Sequence, residues 1–141
     1  MVILSPPLVA GKFIFMVNKN KTVLIVEDDE ILLRALYLQF EGAGYTISSA
    51  TDGEIAVKIA QRIIPDIVLL DLIMPKMDGF EVLHILKSDP KTKEIPVIVL
   101  SNLGESTDIQ KAKSLGAVEY FVKADIRLDE LQKKVAEIIN S

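Results

Sequence analysis

Asp66-Ile67-Val68-Leu69-Leu70-Asp71-Leu72-Ile73-Met74-Pro75 is the stretch from which the fold is read. Its short apolar run fits a strand buried on both faces, and a carboxylate followed by a proline that cannot extend the ladder closes it. Asp71 is therefore expected at the carboxyl end of a strand. Ligands bind at that edge of an open α/β sheet. Taken alone, Asp71 is equally a solvated loop aspartate, and the other strand ends have to decide.

Outward from this strand, apolar β-rich runs alternate with helical patterns. Thr22 to Val26 predicts a strand ending in Glu27-Asp28-Asp29, and Ile31, Leu32, Ala35, Leu36, Leu38 and Phe40 carry a helix to Gly42 and Gly44. Tyr45 to Ser49 alternates apolar and polar residues, as a half-exposed edge strand does. Asp52-Gly53-Glu54 opens a helix that runs through Ile63 and stops before Pro65. Beyond Pro75, Asp78-Gly79-Phe80-Glu81 starts a third helix that ends at Asp89-Pro90. Ile95 to Leu100 predicts a buried strand, Ser106 to Leu115 a helix with a thin apolar face, Val118 to Val122 a strand closed by Lys123, and Ile126 to Ile139 an amphipathic helix.

Composition narrows the function. The 141 residues suit one domain, and 16 basic against 20 acidic residues give a net charge of −4 with no basic run, which argues against direct binding of nucleic acid. Without cysteine there is no disulfide, thiolate nucleophile or Cys-based metal site, in keeping with a cytoplasmic location. A single histidine excludes a zinc site of several imidazoles, and His84, lying between Leu83 and Ile85, is given no role. Residues 1–19 are expected to be an appendage, with the folded domain at 20–141. Met1 to Phe15 is apolar but carries its lysine late and is interrupted by Pro6-Pro7 and Gly11, which fits neither a signal peptide nor a membrane span. Translation starting at Met16 is one reading of that segment.

Strands separated by helical crossovers of about a dozen residues run parallel, so five βα units predict a sheet covered on both faces. All carboxyl ends then share one rim. Glu27, Asp28, Asp29, Asp71, Ser101 and Lys123, scattered in sequence, become neighbours there. Clustered carboxylates repel one another unless a cation lies between them, and hard oxygen donors with room for water suit Mg²⁺. A lysine and a hydroxyl beside them supply the positive charge and directed donor that phosphoryl transfer demands. On this chemistry Asp71 is a nucleophile and its product an acyl phosphate.

These residues resemble the receiver domains of two-component response regulators, from about Lys21 to Asn140. Leu24-Ile25-Val26-Glu27-Asp28-Asp29 is similar to that family's acidic motif, Leu69 to Gly79 to its phosphoacceptor motif, and Val99-Leu100-Ser101-Asn102 to its hydroxyl motif. Tyr120 matches the switch aromatic and Lys123 the family lysine. The resemblance implies a flavodoxin-like (βα)5 fold, a doubly wound parallel sheet of strand order 2-1-3-4-5. It implies that Asp71 accepts phosphate from a histidine kinase, that Asp28, Asp71 and the carbonyl of Ile73 bind Mg²⁺ with Glu27 acting through water, and that Asp71, Ser101 and Lys123 perform the transfer. Ser101 and Tyr120 would then switch the face formed by the fourth helix, fifth strand and fifth helix.

Ala124 stands where the family usually has proline, so the Lys123–Ala124 bond is expected to be trans. Asp29 is read as a helix-start residue and not a ligand. Ile73 and Leu103, two positions beyond Asp71 and Ser101, are expected to hinder water and prolong the phosphoryl group's life. Such a group adds up to two negative charges and three acceptor oxygens. To convert a 1:99 population to 99:1 it must favour one state by about 5.5 kcal/mol. A haloacid-dehalogenase-type phosphatase would need an acid where Ile73 stands, a nucleotide site a glycine-rich turn where Glu27-Asp28-Asp29 stands, and a serine hydrolase a G-x-S-x-G turn. The alternative that shares every motif is a relay receiver passing phosphate to a histidine phosphotransfer protein. The chain ends after its fifth helix, so its output is expected to be a contact with another protein or with its own copies, as a monomer or a weak phosphorylation-dependent dimer, and not with a membrane.

Overall fold

The structure, a computed structural model, describes residues 18–141. Strands β1 (Thr22–Val26), β2 (Thr46–Ala50), β3 (Ile67–Leu70), β4 (Val97–Ser101) and β5 (Glu119–Val122) alternate with helices α1 (Glu30–Gly42), α2 (Gly53–Ile63), α3 (Gly79–Ser88), α4 (Ser106–Ser114) and α5 (Leu128–Ile139). All strand pairs are parallel and the order is 2-1-3-4-5, as the resemblance implied. β2 is an edge, which explains its polar alternation; β3 and β4 lie inside the sheet and are buried along their whole length.

Side chains alternate across the sheet and so divide the core in two. Leu24, Val26, Val68, Leu70, Val97 and Val99 face α2, α3 and α4, where Ala56, Ala60, Leu83, Leu86 and Ala112 cover them. Val23, Ile25, Ile67, Leu69, Ile98 and Leu100 face α1 and α5, covered by Leu36, Phe40, Leu131 and Val135. Three helices begin at a capping aspartate. Asp29 Oδ1 accepts from the N–H of Ile31 and Leu32, Asp52 Oδ1 from Ile55 and Asp78 Oδ1 from Glu81, each satisfying donors that the first helical turn leaves free.

Several boundaries differ from expectation for local reasons. β4 starts at Val97 because Pro96 brings no N–H to the ladder, although its carbonyl still accepts from Val68. The last helix starts at Leu128, not Ile126: Lys123–Asp125 forms a 3₁₀ turn, and Ile126 and Arg127 are extended. The Lys123–Ala124 bond is trans. Of the expected appendage, residues 1–17 lie outside the described residues. Asn18, which falls within the expected 1–19 stretch, is buried and donates from Nδ2 to the Ala43 carbonyl at 2.8 Å, so the folded body reaches at least to that residue. No helix among the described residues is long and apolar enough to cross a membrane.

Tyr45 shows what a polar atom costs in this core. Its ring meets Phe40 edge-on at 5.6 Å, but its buried hydroxyl has no hydrogen-bond partner among the described residues. Burial pushes its pKa above the ordinary 10.0. Tyr45→Phe removes an unsatisfied group without opening a cavity, and it should raise stability by about 1 kcal/mol in a urea titration. The sign for pH follows from the raised pKa: the folded state holds the phenolic proton more tightly than the unfolded chain. Tyr45 therefore makes stability fall as pH rises above 10.0 through the folded value, and the variant should lose that part of the alkaline slope.

Candidate functional site: an acidic cup at the carboxyl edge

The parallel register brings the strand ends to one rim. Val26 stands beside both Ala50 and Leu70, and Ser101 beside Val122. Glu27 and Asp71 follow their strands directly and stay anchored to the sheet: the Glu27 N–H donates to the Ala50 carbonyl and the Asp71 N–H to that of Val26, both at 3.0 Å. Their side chains turn into the rim and are almost wholly buried. Asp28 remains exposed. One carboxylate oxygen from each of Glu27, Asp28 and Asp71 lies within 4.8 Å of the other two.

Lys123 reaches this cup from the end of β5. Its Nζ is 2.8 Å from Glu27 Oε1, 3.0 Å from Glu27 Oε2 and 3.0 Å from Asp71 Oδ2. Burial pushes the Lys123 pKa down, but the bonds to Glu27 and Asp71 outweigh it and leave the pKa above 10.5. Burial also holds the Glu27 carboxyl above 4.5, against the lowering pull of Lys123 and of the Asp29 N–H on Oε2. The Oε1 contact with Lys123 lies outside hydrogen-bond geometry, so that buried oxygen has no hydrogen-bond donor among the described residues.

The cup thus contains hard oxygen donors, a buried carboxylate oxygen outside any hydrogen bond among the described residues, and an open side at Asp28. A divalent cation of the Mg²⁺ type fits it, because such an ion takes one or two carboxylates and keeps several waters. Asp29 is occupied elsewhere as the cap of α1. Asp29→Ala should cost about 1 kcal/mol of stability through that lost cap. It should leave Mg²⁺ affinity, followed by titration with the metal, within twofold of the parent; a larger loss would make Asp29 a ligand.

Of the remaining expected residues, Ile73 and Ser101 lie at the same rim and Tyr120 lies within β5. Ile73 donates its N–H to Asp71 Oδ1 at 3.3 Å and exposes 58% of its surface. Ser101 is fully buried, and its Oγ accepts from the Leu103 N–H at 3.2 Å. Tyr120, half-buried beside Val99, donates its hydroxyl to the Leu103 carbonyl, and burial raises its pKa above 10.0. Leu103 is only half exposed and packs on the core, so Ile73 is the more open of the two expected shields. His84 is exposed on α3.

Two features were missed. The Leu103 backbone links the Ser101 hydroxyl to the Tyr120 hydroxyl, using its N–H for one and its carbonyl for the other. Gly79 packs against the backbone of Asp71: a Cβ there would stand 2.3 Å from the Asp71 carbonyl oxygen, while its N–H donates to the Leu72 carbonyl at 2.8 Å. A glycine inside a helix start, where alanine favours the helix by about 1 kcal/mol, was the available signal for that close approach.

Fold and rim together define a class: a doubly wound α/β domain with a carboxylate cup and a lysine at its carboxyl edge. The chain belongs to the response regulator receiver domain family, whose model matches residues 23–136. It is 40% identical over 101 residues to response regulator PleD of Caulobacter vibrioides, covering 72% of this chain and 22% of that protein. The chain thus spans only about a fifth of that relative's length. Among solved structures it resembles a response regulator of Chloroflexus aurantiacus, with a TM-score of 0.81 at 30% identity, covering 87% of this chain and 100% of the other. It also resembles the receiver domain of the sensor histidine kinase PA1611 of Pseudomonas aeruginosa, with a TM-score of 0.79 at 25% identity, covering 86% and 98%. That structure has a magnesium ion coordinated in its active-site cleft.

Proposed function

We propose that Asp71 accepts a phosphoryl group from the phosphohistidine of a sensor kinase and thereby switches a protein-binding face. The observation that carries this reading is the setting of Asp71: a nearly buried carboxylate with Lys123 on one oxygen and two further carboxylates beside it. In the transfer an Asp71 oxygen attacks phosphorus and the phosphorus–nitrogen bond breaks. The electron pair returns to the imidazole, and Asp71 becomes an acyl phosphate. Lys123 stands where charge gathers on the transferred oxygens, and the Ser101 hydroxyl can donate to one of them.

Asp28, Asp71 and the Ile73 carbonyl would hold Mg²⁺, with Glu27 acting through water. The bound ion would supply positive charge to the phosphoryl oxygens. Glu27 and Asp71 together orient Lys123. Ser101 reaches Tyr120 through the Leu103 backbone, so drawing Ser101 towards a phosphoryl oxygen shifts the loop to which Tyr120 is tied. The chain promotes only its own phosphorylation and dephosphorylation, acts in the cytoplasm, and passes the signal by contact as a monomer or a weak phosphorylation-dependent dimer.

Incubation with acetyl phosphate tests this directly. The intact protein should gain the mass of one phosphoryl group, only with Mg²⁺ present, and lose it to hydroxylamine as an acyl phosphate does. A gain that is independent of Mg²⁺ or resistant to hydroxylamine sinks the reading. Partner capture with and without beryllofluoride and Mg²⁺ then examines the output, and identical partner sets would deny a phosphorylation-dependent one.

A further inference from the structure

We propose that a second route couples Asp71 to α4, through the first turn of α3 and a Lys111–Phe80 contact that holds α4 in its resting position. This rests on the reading of Asp71 as phosphoacceptor. The route is separate from the Ser101–Leu103–Tyr120 link, which reaches only the loop before α4.

α4 is poorly held by its own sequence. Ala112 is its one buried residue, and Glu105 before it makes no side-chain capping bond. A helix with so little apolar area against the core shifts at low cost unless something else fixes it. α3 provides that fixing at two points. The Lys111 ammonium lies 4.1 Å above the centre of the Phe80 ring, which itself packs on the core. Just past α4, Gly116 at φ +112° leaves room for the Lys87 stem, whose Cγ is 2.9 Å from where a Cβ would sit. Lys87 Nζ is in turn tied to the Lys93 and Ile95 carbonyls at 3.0 and 2.6 Å.

The other end of the route is the close approach at Gly79. With the Asp71 carbonyl and the Leu72 Cα pressed against it, the first turn of α3 has no slack relative to the phosphoacceptor peptide. Phe80 is the next residue. A displacement of the Asp71–Leu72 peptide therefore moves the ring on which Lys111 sits. The Lys111–Phe80 contact coexists with the Lys123–Asp71 ion pair, and we assign it to the arrangement in which Lys123 holds the Asp71 carboxylate.

Removing a contact made only in the resting form shifts the balance towards the activated one by the worth of that contact. Lys111→Met keeps the stem and deletes the charge, Phe80→Leu deletes the π face, and Lys111→Arg keeps a cation over the ring. In the full chain, Lys111→Met should speed amide exchange across residues 106–115 about threefold and tighten apparent beryllofluoride binding with Mg²⁺ by the same factor, the size of an exposed cation–π contact. Lys111→Arg should restore parent values, and Phe80→Leu combined with Lys111→Met should go no further than the stronger single variant. Unchanged α4 exchange in Lys111→Met, unchanged or weaker beryllofluoride binding, or effects that add in the double variant would overturn the proposal. A parent protein that binds no beryllofluoride removes the phosphoacceptor reading on which it rests, whereas the exchange arm reports on the contact by itself.

Discussion

Asp71→Asn should abolish phosphoryl incorporation from acetyl phosphate and from a phosphorylated kinase alike, to the background of the assay. The substitution keeps the shape of the side chain and its acceptor for the Ile73 N–H, but the amide oxygen is no nucleophile. It also withdraws one of the carboxylates gathered in the cup, so Mg²⁺ binding should weaken with it. Unfolding by urea, followed by circular dichroism, should show a folded domain, because the Asp71 N–H still pairs with Val26 and the strand is unchanged. Labelling that survives in this variant would place the phosphoacceptor elsewhere and remove the basis of the functional reading.

Lys123→Met is expected to have the second largest effect, on both rate and stability. For the reaction it removes the positive charge nearest Asp71, and loss of one such oriented group costs about 10²- to 10³-fold in rate. For the fold it leaves Glu27 and Asp71 buried and facing each other without their common partner, and breaking a buried pair by deleting one side costs about 3 to 5 kcal/mol. Protonation of Glu27 relieves part of that cost. Its pKa is already above 4.5 in the folded protein and rises further once the Lys123 bond is gone.

The pH dependence follows from the two directions. Glu27 binds its proton more tightly when folded, so its effect on stability is most favourable below 4.5 and turns against the fold as pH rises from 4.5 through the folded value. Lys123, with a folded pKa above 10.5, contributes stability fully below 10.5 and loses it as pH rises through the folded value. Lys123→Met should therefore be closer to the parent at pH 4.5, the ordinary value of the carboxyl, than at pH 8. Urea titrations at the two values measure this, and an equal deficit at both would show that Glu27 does not take up the proton.

Short-range signals explain what was legible before any coordinates. Buried parallel strands read as continuous apolar runs, the edge strand β2 as an alternation, and three helix starts as aspartates before apolar faces; each depends on residues within a few positions of one another. The bounds that moved did so through backbone pairing. Pro96 delays β4, and the 3₁₀ turn after Lys123 delays α5. Glu27 and Lys123 are 96 residues apart, and no local pattern encodes the 3.0 Å bond between them.

By itself the sequence determined the alternation of strand and helix, the acid, hydroxyl and lysine at successive strand ends, and Asp29 as a helix-start residue. Tertiary structure decided that Lys123 spans both buried carboxylates, that Leu103 joins Ser101 to Tyr120 through its backbone, and that Gly79 seats α3 against Asp71. Strand type and helix start are fixed by the chain's local periodicity and its free backbone donors. Which charges meet, and how closely two backbones approach, depends on sheet register and on packing between segments distant in sequence.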